Sequence, residues 1–165
     1  MIRMKQTELI RTFLISGGII LFFTAIAKLI SAGSNVRVFQ EHDPILTVTF
    51  RSAFWFIGTF ELVVALICLF SKQTGLQVWL IALLATTFLT YRLGLAWIGY
   101  HRPCRCLGNF TDALHIPPQT ADTVMKIILA YLLLGSYASL FWLWRQRKET
   151  IPVSIPNSIY APHHQ

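Results

Sequence analysis

The sequence predicts an all-α integral membrane protein, a four-helix bundle with both termini in the cytoplasm. Hydrophobic residues make up 55% of the 165 residues and charged residues only 13%, where a soluble domain carries about 25% charged residues. Four apolar runs are each long enough for the ~20 residues with which a helix crosses a bilayer. None of them alternates with the period of two that marks a barrel strand. We therefore expect one membrane domain with four helical spans.

Polar segments separate the four apolar runs and divide the chain. A short basic N-terminus covers residues 1–8, the four-span domain covers residues 9–144, and a tail covers residues 145–165. The predicted spans are residues 9–32, 47–70, 76–99 and 123–144. The longest connection is the loop at residues 100–122, between the third and fourth spans.

The ends of the domain follow from local signals. The first run is longer than the ~7–15 apolar residues of a signal peptide. Cleavage after Ala32 would also put the bulky Ile30 at the −3 position, where a small residue is required, so we expect a retained span. Asp122 or Thr120 is the expected cap of the fourth span. The tail starts with basic residues and is expected to be mostly disordered, because three prolines prevent a regular helix: Pro152, Pro156 and Pro162.

The distribution of basic residues predicts the orientation. Four spans put both termini on one side of the membrane. The basic residues on the terminal side and in the short second loop are Arg3, Lys5, Arg11, Lys72, Arg145, Arg147 and Lys148. Those in the first and third loops are Arg37, Arg102 and Arg105. This excess predicts cytoplasmic termini and an outward third loop.

Two other classes of protein are excluded by composition. The net charge of +7 does not indicate nucleic-acid binding, because the basic residues mostly flank apolar runs and form no stripe with interleaved aromatics. Three cysteines are too few for a small disulfide-stapled domain. Cys68, near the cytoplasmic end of the second span, is expected to be a buried small hydrophobe.

Three charged residues lie inside predicted spans and are expected to face the bundle interior: Lys28, Glu61 and Arg92. By residue counting, Glu61 lies ~15–20 Å and Arg92 ~10–12 Å below the outer ends of their spans. Arg92 is therefore the nearest candidate partner of Glu61 in depth, and Lys28 could reach towards Glu61 or towards the loop. The set serves either to hold the bundle together or to deliver protons or line a polar ligand pocket.

The third loop contains a Cys-x-Cys pair, Cys104 and Cys106. Disulfide exchange needs an attacking thiolate and a second thiol close enough to resolve the mixed disulfide. The neighbouring Arg102, Arg105 and His101 would stabilise a thiolate electrostatically. A bridge across so small a ring departs from preferred geometry, which makes it easier to reduce. The pair is therefore the predicted catalytic site of thiol–disulfide chemistry.

Other interpretations of this pair stay open. It could be a static staple of the loop, it could bind a soft metal such as Cu(I) with His101 or His115, or the two cysteines could have no role. With a static bridge, the protein would be a non-enzymatic scaffold or small-solute carrier. Lys28, Glu61 and Arg92 would then form its functional core. Our leading hypothesis includes no metal site.

The loop and two charged residues resemble the methylamine utilisation protein MauE family, within the broader DoxX-like group of four-helix membrane proteins. The family's loop motif is Cys-x-Cys-Phe-Gly, and here the corresponding residues are Cys104-Arg105-Cys106-Leu107-Gly108. Leu107 replaces the aromatic residue of the motif. Ala27-Lys28 near the end of the first span and Glu61 midway in the second also correspond. The resemblance covers roughly residues 10–144.

The resemblance implies a function in disulfide formation during methylamine dehydrogenase maturation, with a thioredoxin-like extracytoplasmic partner. The architecture is also similar to that of quinone-linked four-helix oxidoreductases, which implies a quinone as the candidate cofactor. Tyr91, Trp97 and Tyr100 would line its site. Those oxidoreductases usually carry two cysteine pairs, whereas the loop of this chain has one. The expected location is a bacterial inner (cell) membrane with the Cys-x-Cys loop outside.

Overall fold

The computed structural model describes residues 2–34, 43, 45, 47–99 and 117–149. Four α-helices make up nearly all of this part of the chain: α1 (Ile2–Gly33), α2 (Phe50–Phe70), α3 (Thr74–Trp97) and α4 (Pro118–Glu149). The all-α prediction is confirmed. Each helix overlaps one of the four predicted apolar runs, although α1 begins at Ile2, before the predicted start at residue 9.

All four helices are long and apolar enough to cross a membrane. The segments that meet this criterion are Thr7–Gly33, Phe50–Phe70, Thr74–Trp97 and Gln119–Lys148. Large hydrophobic side chains remain on their outer surface, as a lipid environment requires; Phe56 and Phe70 are each 79% exposed. The chain is a multi-pass integral membrane protein.

The fourth helix begins earlier and ends later than the sequence predicts. It begins at Pro118, and proline suits the first turn because its missing N–H has no partner there. The N–H groups of Thr120 and Ala121 donate to the carbonyl of Pro117. Neither Thr120 nor Asp122 is therefore the cap. The helix also continues to Glu149, so the basic residues 145–148 are helical rather than part of a disordered tail. Residues 150–165 lie outside the described part of the chain.

Helices α1 and α2 pack closely along their length. Buried positions on α1 recur every three or four residues, the spacing of one helix face: Leu14, Gly18, Leu21, Ala25, Lys28 and Ala32. A methyl group on Gly18 would lie 3.2 Å from Cys68 Cβ, and one on Gly58 would lie 3.1 Å from Leu29 Cγ. These small residues bring the two backbones together, as is typical of helix pairs in membranes.

The remaining contacts close the bundle. Gln77 at the start of α3 donates its side-chain amide to the carbonyls of Ile67, Cys68 and Ser71, at 3.1, 3.2 and 2.7 Å. These bonds satisfy the last carbonyls of α2 and hold the α2–α3 turn. Between α1 and α4, the ring of Phe13 lies against Gly135.

We call one end of the bundle the loop end: there α1 ends, α2 begins, α3 ends and α4 begins. The first and third connections both lie at this end. The start of α1, the end of α4 and the α2–α3 turn lie at the opposite end.

Candidate functional site

A buried ion pair lies inside the bundle. Lys28 Nζ of α1 donates to Glu61 Oε1 at 2.8 Å and to Oε2 at 2.6 Å. The side chains are 7% and 1% exposed. A charged side chain in the membrane is tolerated when it faces the bundle interior and has a partner. Both residues were predicted as intramembrane polar residues, and the structure brings them together.

The packing of α1 on α2 makes this pair possible. Gly58 lies one turn before Glu61, and a methyl group there would lie 3.3 Å from Lys28 Cβ. Lys28 is five residues before the end of α1 and Glu61 is eleven residues after the start of α2, at depths of ~8 Å and ~16 Å from the loop end. The long lysine side chain spans the difference in depth.

Arg92 has a different partner from the one expected. Its Nη2 donates to Asp122 Oδ1 at 2.6 Å, and Asp122 Oδ2 also forms an ion pair with Lys126 Nζ at 2.7 Å. Of the two candidate partners that the sequence left open for Glu61, the structure selects Lys28, whose Nζ donates to both carboxylate oxygens, and not Arg92. The Arg92–Asp122 pair instead joins α3 to α4 close to the loop end.

A third polar contact fastens the first connection to α3. The side chain of Asp43 is buried and accepts a hydrogen bond from the Tyr91 hydroxyl at Oδ2. Its Oδ1 accepts from the backbone N–H of Ile45 at 2.8 Å. Ile45 in turn lies against α3, where its Cδ1 would be 3.1 Å from a methyl group on Gly94. This part of the connection is therefore fixed on the surface of α3.

A partly open pocket of about 60 Å³ lies among the helices next to the buried ion pair. Its lining comes mainly from α1, α3 and α4, and α2 contributes Glu61 alone. The lining residues are Ile20, Leu21, Thr24, Lys28, Glu61, Phe88, Tyr91, Arg92, Met125, Ile128, Leu129 and Leu132. Almost all of the lining surface is apolar. An apolar ligand would find polar groups here at a few positions only.

The ammonium group of Lys28 can donate a hydrogen bond to a ligand in the pocket. It carries three donors, and Nζ lies 5.3 Å from the centre of the Phe88 ring. Among the described side chains, no three His, Cys, Asp or Glu residues come together to hold a metal ion. The site can therefore be described as an apolar pocket with an amine donor and an aromatic wall.

The residues predicted for thiol chemistry lie outside the described residues: His101, Arg102, Cys104, Arg105 and Cys106. Tyr100 lies there too. The loop that carries them joins Gly99 to Pro117, at the loop end of the bundle. Of the aromatic residues expected to line a quinone site, Tyr91 lines the pocket, whereas Trp97 is 92% exposed and does not.

Sequence reasoning missed several members of the site. Phe88 and Thr24 line the pocket, and Asp43 holds Tyr91. Asp122 was assigned to a helix cap, although its spacing of four from Lys126 is a signal for an ion pair on one helix face. Hydropathy carries no signal for Phe88, which looks like any other apolar residue of a span.

Cys68 lies near the opposite end of the bundle, two residues before the end of α2. It is 4% exposed and packs in the hydrophobic core. Its predicted role as a buried small hydrophobe is confirmed.

One comparison with known proteins gives a match. The family model described as methylamine utilisation protein MauE matches residues 6–145. No curated protein and no solved structure matches the chain. The matched range covers α2, α3 and the Cys-x-Cys loop in full and most of α1 and α4.

Proposed function

The chain belongs to the methylamine utilisation protein MauE family, and from this premise we propose that it is a membrane thiol–disulfide redox protein. Cys104 and Cys106 are its redox pair. A thioredoxin-like extracytoplasmic protein is its partner, and disulfide formation or cofactor maturation is the process it supports. The location we propose is a bacterial inner membrane, with the Cys-x-Cys loop outside and both termini in the cytoplasm.

The exchange proceeds through a mixed disulfide. A thiolate of the partner attacks one sulfur of the Cys104–Cys106 bridge, the bridge breaks, and a bond between partner and chain forms. The second partner thiol then attacks that bond. The partner leaves as a disulfide, and Cys104 and Cys106 are left as two thiols, so two electrons and two protons have moved. The reverse direction uses the same steps. Arg102, Arg105 and His101 stabilise the thiolate forms.

The observation that carries the proposal is the anchoring of the loop. The loop joins α3 to α4, and these helices are held together by the Arg92–Asp122 ion pair at 2.6 Å. Arg92 is five residues before the end of α3 and Asp122 is four residues after the start of α4. A short-range exchange with a partner needs both ends of the loop at constant positions, and this pair supports that.

The reduced pair then needs an electron acceptor, and we propose a quinone for it. When bound, a quinone would accept two electrons and two protons from within the bilayer. The pocket near the loop end fits such a group in its apolar lining and in the donor of Lys28. Trp97 no longer belongs to the proposed lining.

A redox titration tests the exchange function. The protein is placed in nanodiscs with Cys68→Ser to remove the third thiol, and alkylated thiols are counted at each set potential. We expect a midpoint well above about −300 mV, in the range of proteins that exchange disulfides. A bridge that resists reduction below that potential would contradict the proposal. Thiols that hold a metal and never pair would contradict it as well.

The partner can be trapped with single-cysteine variants. With Cys104→Ser or Cys106→Ser, the remaining thiol has no neighbour to resolve a mixed disulfide. We expect a stable covalent complex with a thioredoxin-like protein from one of the two variants. The double variant, Cys104→Ser/Cys106→Ser, is the matched control and should give none.

One observation favours a second candidate function. The buried Lys28–Glu61 pair, with the apolar pocket beside it, does not need the cysteines. We refer to this pair and pocket as the intramembrane centre. A DoxX-like scaffold or small-solute carrier would use this centre and only a structural bridge in the loop. That function predicts that loss of Cys104 and Cys106 affects folding alone and that the bridge does not exchange with thioredoxin-like proteins.

A further inference from the structure

We propose that the pocket between α1, α3 and α4 binds an uncharged, lipid-soluble ring compound whose carbonyl oxygen accepts a hydrogen bond from Lys28. This assigns a binding site and its determining residue. The inference rests on the proposed redox function only for the identity of the compound, which would then be a quinone.

The lining of the pocket favours an apolar occupant. Six of the lining residues are aliphatic or Met side chains, and Phe88 adds an aromatic ring. A buried water needs two to four polar partners, and apolar cavities stay dry. The lining offers few such partners, so water is a poor occupant. The pocket is partly open and lies among helices that are long and apolar enough to cross a membrane.

The size of the pocket determines how a ring would enter. Its volume of about 60 Å³ is smaller than the cavity of about 150 Å³ that takes a whole benzene ring. A ring would therefore enter edge first, with one carbonyl inside the pocket. Its other edge and any chain attached to it would extend through the open side.

The Lys28–Glu61 pair disfavours an ionic ligand beside Lys28. The positive charge of Lys28 is already balanced by Glu61, whereas Arg92 shares Asp122 with Lys126. A carboxylate or phosphate against Lys28 would meet the negative charge of Glu61 in an apolar site, which is costly. An uncharged carbonyl needs a donor and no counter-charge.

Lys28 has a donor for such a carbonyl. Its ammonium carries three N–H donors, and the structure gives it two hydrogen bonds to described residues, both to Glu61. Lys28 lines the pocket, with the Phe88 ring centre 5.3 Å from Nζ. A ring whose oxygen accepts the third N–H can also contact the face of Phe88. This pair of contacts distinguishes a carbonyl-bearing ring from a plain acyl chain.

The pocket extends from near the loop end into the bundle. Among its lining residues, Lys28 and Arg92 lie within ~8 Å of the loop end and Ile20 and Leu132 lie ~20 Å from it, by the 1.5 Å rise per residue of a helix. Oxidation of two thiols to a disulfide releases two electrons and two protons. Cys68, a single buried thiol near the opposite end, does not provide a second pair to take them. Reduction of a quinone to a quinol consumes both electrons and both protons.

The test measures binding in nanodiscs, with a short-chain ubiquinone analogue as the probe and a photoreactive azido derivative to map its position. The main variant is Lys28→Met/Glu61→Met, which removes both charges together and leaves no unpaired ion. Loss of one hydrogen bond should weaken binding about tenfold. A second variant, Leu129→Phe, fills the pocket and should abolish binding. Lys126→Met is the matched control, because Lys126 is outside the lining, and its affinity should equal that of the wild type.

Three results would overturn the inference. The first is binding of the probe to the double Met variant as tightly as to the wild type. The second is photoproducts at residues outside the pocket, and the third is equal competition by an alkylbenzene without carbonyl groups. The last result would identify the pocket as an acyl-chain site. Cys104→Ser/Cys106→Ser separates this inference from the proposed function, because it should bind the probe normally while it exchanges no disulfide. An inert bridge with normal probe binding would refute the function and leave the pocket assignment standing.

Discussion

At the scale of single residues, the buried ion pair is the most consequential feature. The side chains of Glu61 and Lys28 are only 1% and 7% exposed, so each loses most of its hydration. Their mutual attraction and two hydrogen bonds offset this loss, and the net contribution of such a pair to stability is small. Removal of one member lowers the stability strongly, because it leaves the other charge buried without a partner.

We predict that Lys28→Met and Glu61→Met each lower the free energy of unfolding by about 3–5 kcal/mol. The double variant should be much closer to the wild type, because both charges are gone and the volume is nearly kept. Unfolding by SDS, followed by circular dichroism, measures all three variants. Additive losses in the double variant would show that the two residues act independently.

The Tyr91–Asp43 hydrogen bond is a second residue-scale test. Tyr91→Phe removes only the hydroxyl, and we expect a loss of about 1.5–3 kcal/mol because the acceptor is a carboxylate. Tyr131→Phe is the control: its hydroxyl bonds to Ser16 at 2.7 Å on an exposed face, and its loss should cost about 0.5–1.5 kcal/mol. Amide hydrogen exchange should also speed up at Ile45 and Thr47 in Tyr91→Phe. Equal effects of the two variants would contradict the attachment of the first connection to α3 through the Tyr91–Asp43 hydrogen bond.

At the scale of helices, small residues determine which surfaces meet. Gly18 and Gly58 bring α1 onto α2, and Gly135 accepts the ring of Phe13 between α1 and α4. Association of helices in lipid depends on close packing, since lipid tails are as apolar as the side chains. Close packing of α1 on α2 therefore positions Lys28 beside Glu61, in addition to the attraction between their charges.

We predict that Gly135→Ala destabilises the bundle by about 1–3 kcal/mol, the range for overpacking. The new methyl group would lie 2.1 Å from Phe13 Cε2, so the ring must move. The second-site variant Phe13→Leu should recover part of the loss. Gly33→Ala is the control, because no atom lies within 4 Å of its methyl position. The SDS midpoint measures each variant, and an unchanged midpoint for Gly135→Ala would contradict the close α1–α4 contact.

At the scale of the whole molecule, an even number of spans puts the two loop-end connections on one side of the membrane. The α2–α3 turn lies on the other side. The excess of basic residues at the turn and the termini predicts that this other side is the cytoplasm. The proposed redox chemistry needs the same orientation, because disulfides persist outside the cytoplasm.

We predict that a membrane-impermeant maleimide labels reduced Cys104 and Cys106 in intact cells that carry Cys68→Ser. For the opposite side, Gln73→Cys in the α2–α3 turn is introduced into a chain without the other cysteines; Gln73 is exposed. This thiol should react only after permeabilisation. The reverse pattern of labelling would place the loop in the cytoplasm and remove the basis for the exchange function.

Much of this architecture is predictable from the sequence. Hydropathy and length are local properties of a stretch of chain, so the four spans follow from them, as does the assignment of Lys28, Glu61 and Arg92 to the bundle interior. The Cys-x-Cys motif, together with Lys28 and Glu61, also identified the family, which the family model confirms. Helix ends were less predictable: α4 begins at Pro118, before the expected cap residues Thr120 and Asp122, because proline suits the first turn of a helix.

Only the tertiary structure decided which charges pair and where a pocket remains. Depth along a helix can be counted from the sequence, and by depth Arg92 was a reasonable partner for Glu61. Pairing depends also on the rotation of each helix about its axis and on how closely two backbones approach. Gly58 against Lys28 and Gly135 against Phe13 set these quantities through contacts between residues far apart in the chain. The same packing leaves Lys28 and Phe88 beside an apolar pocket, which no periodicity within one helix specifies.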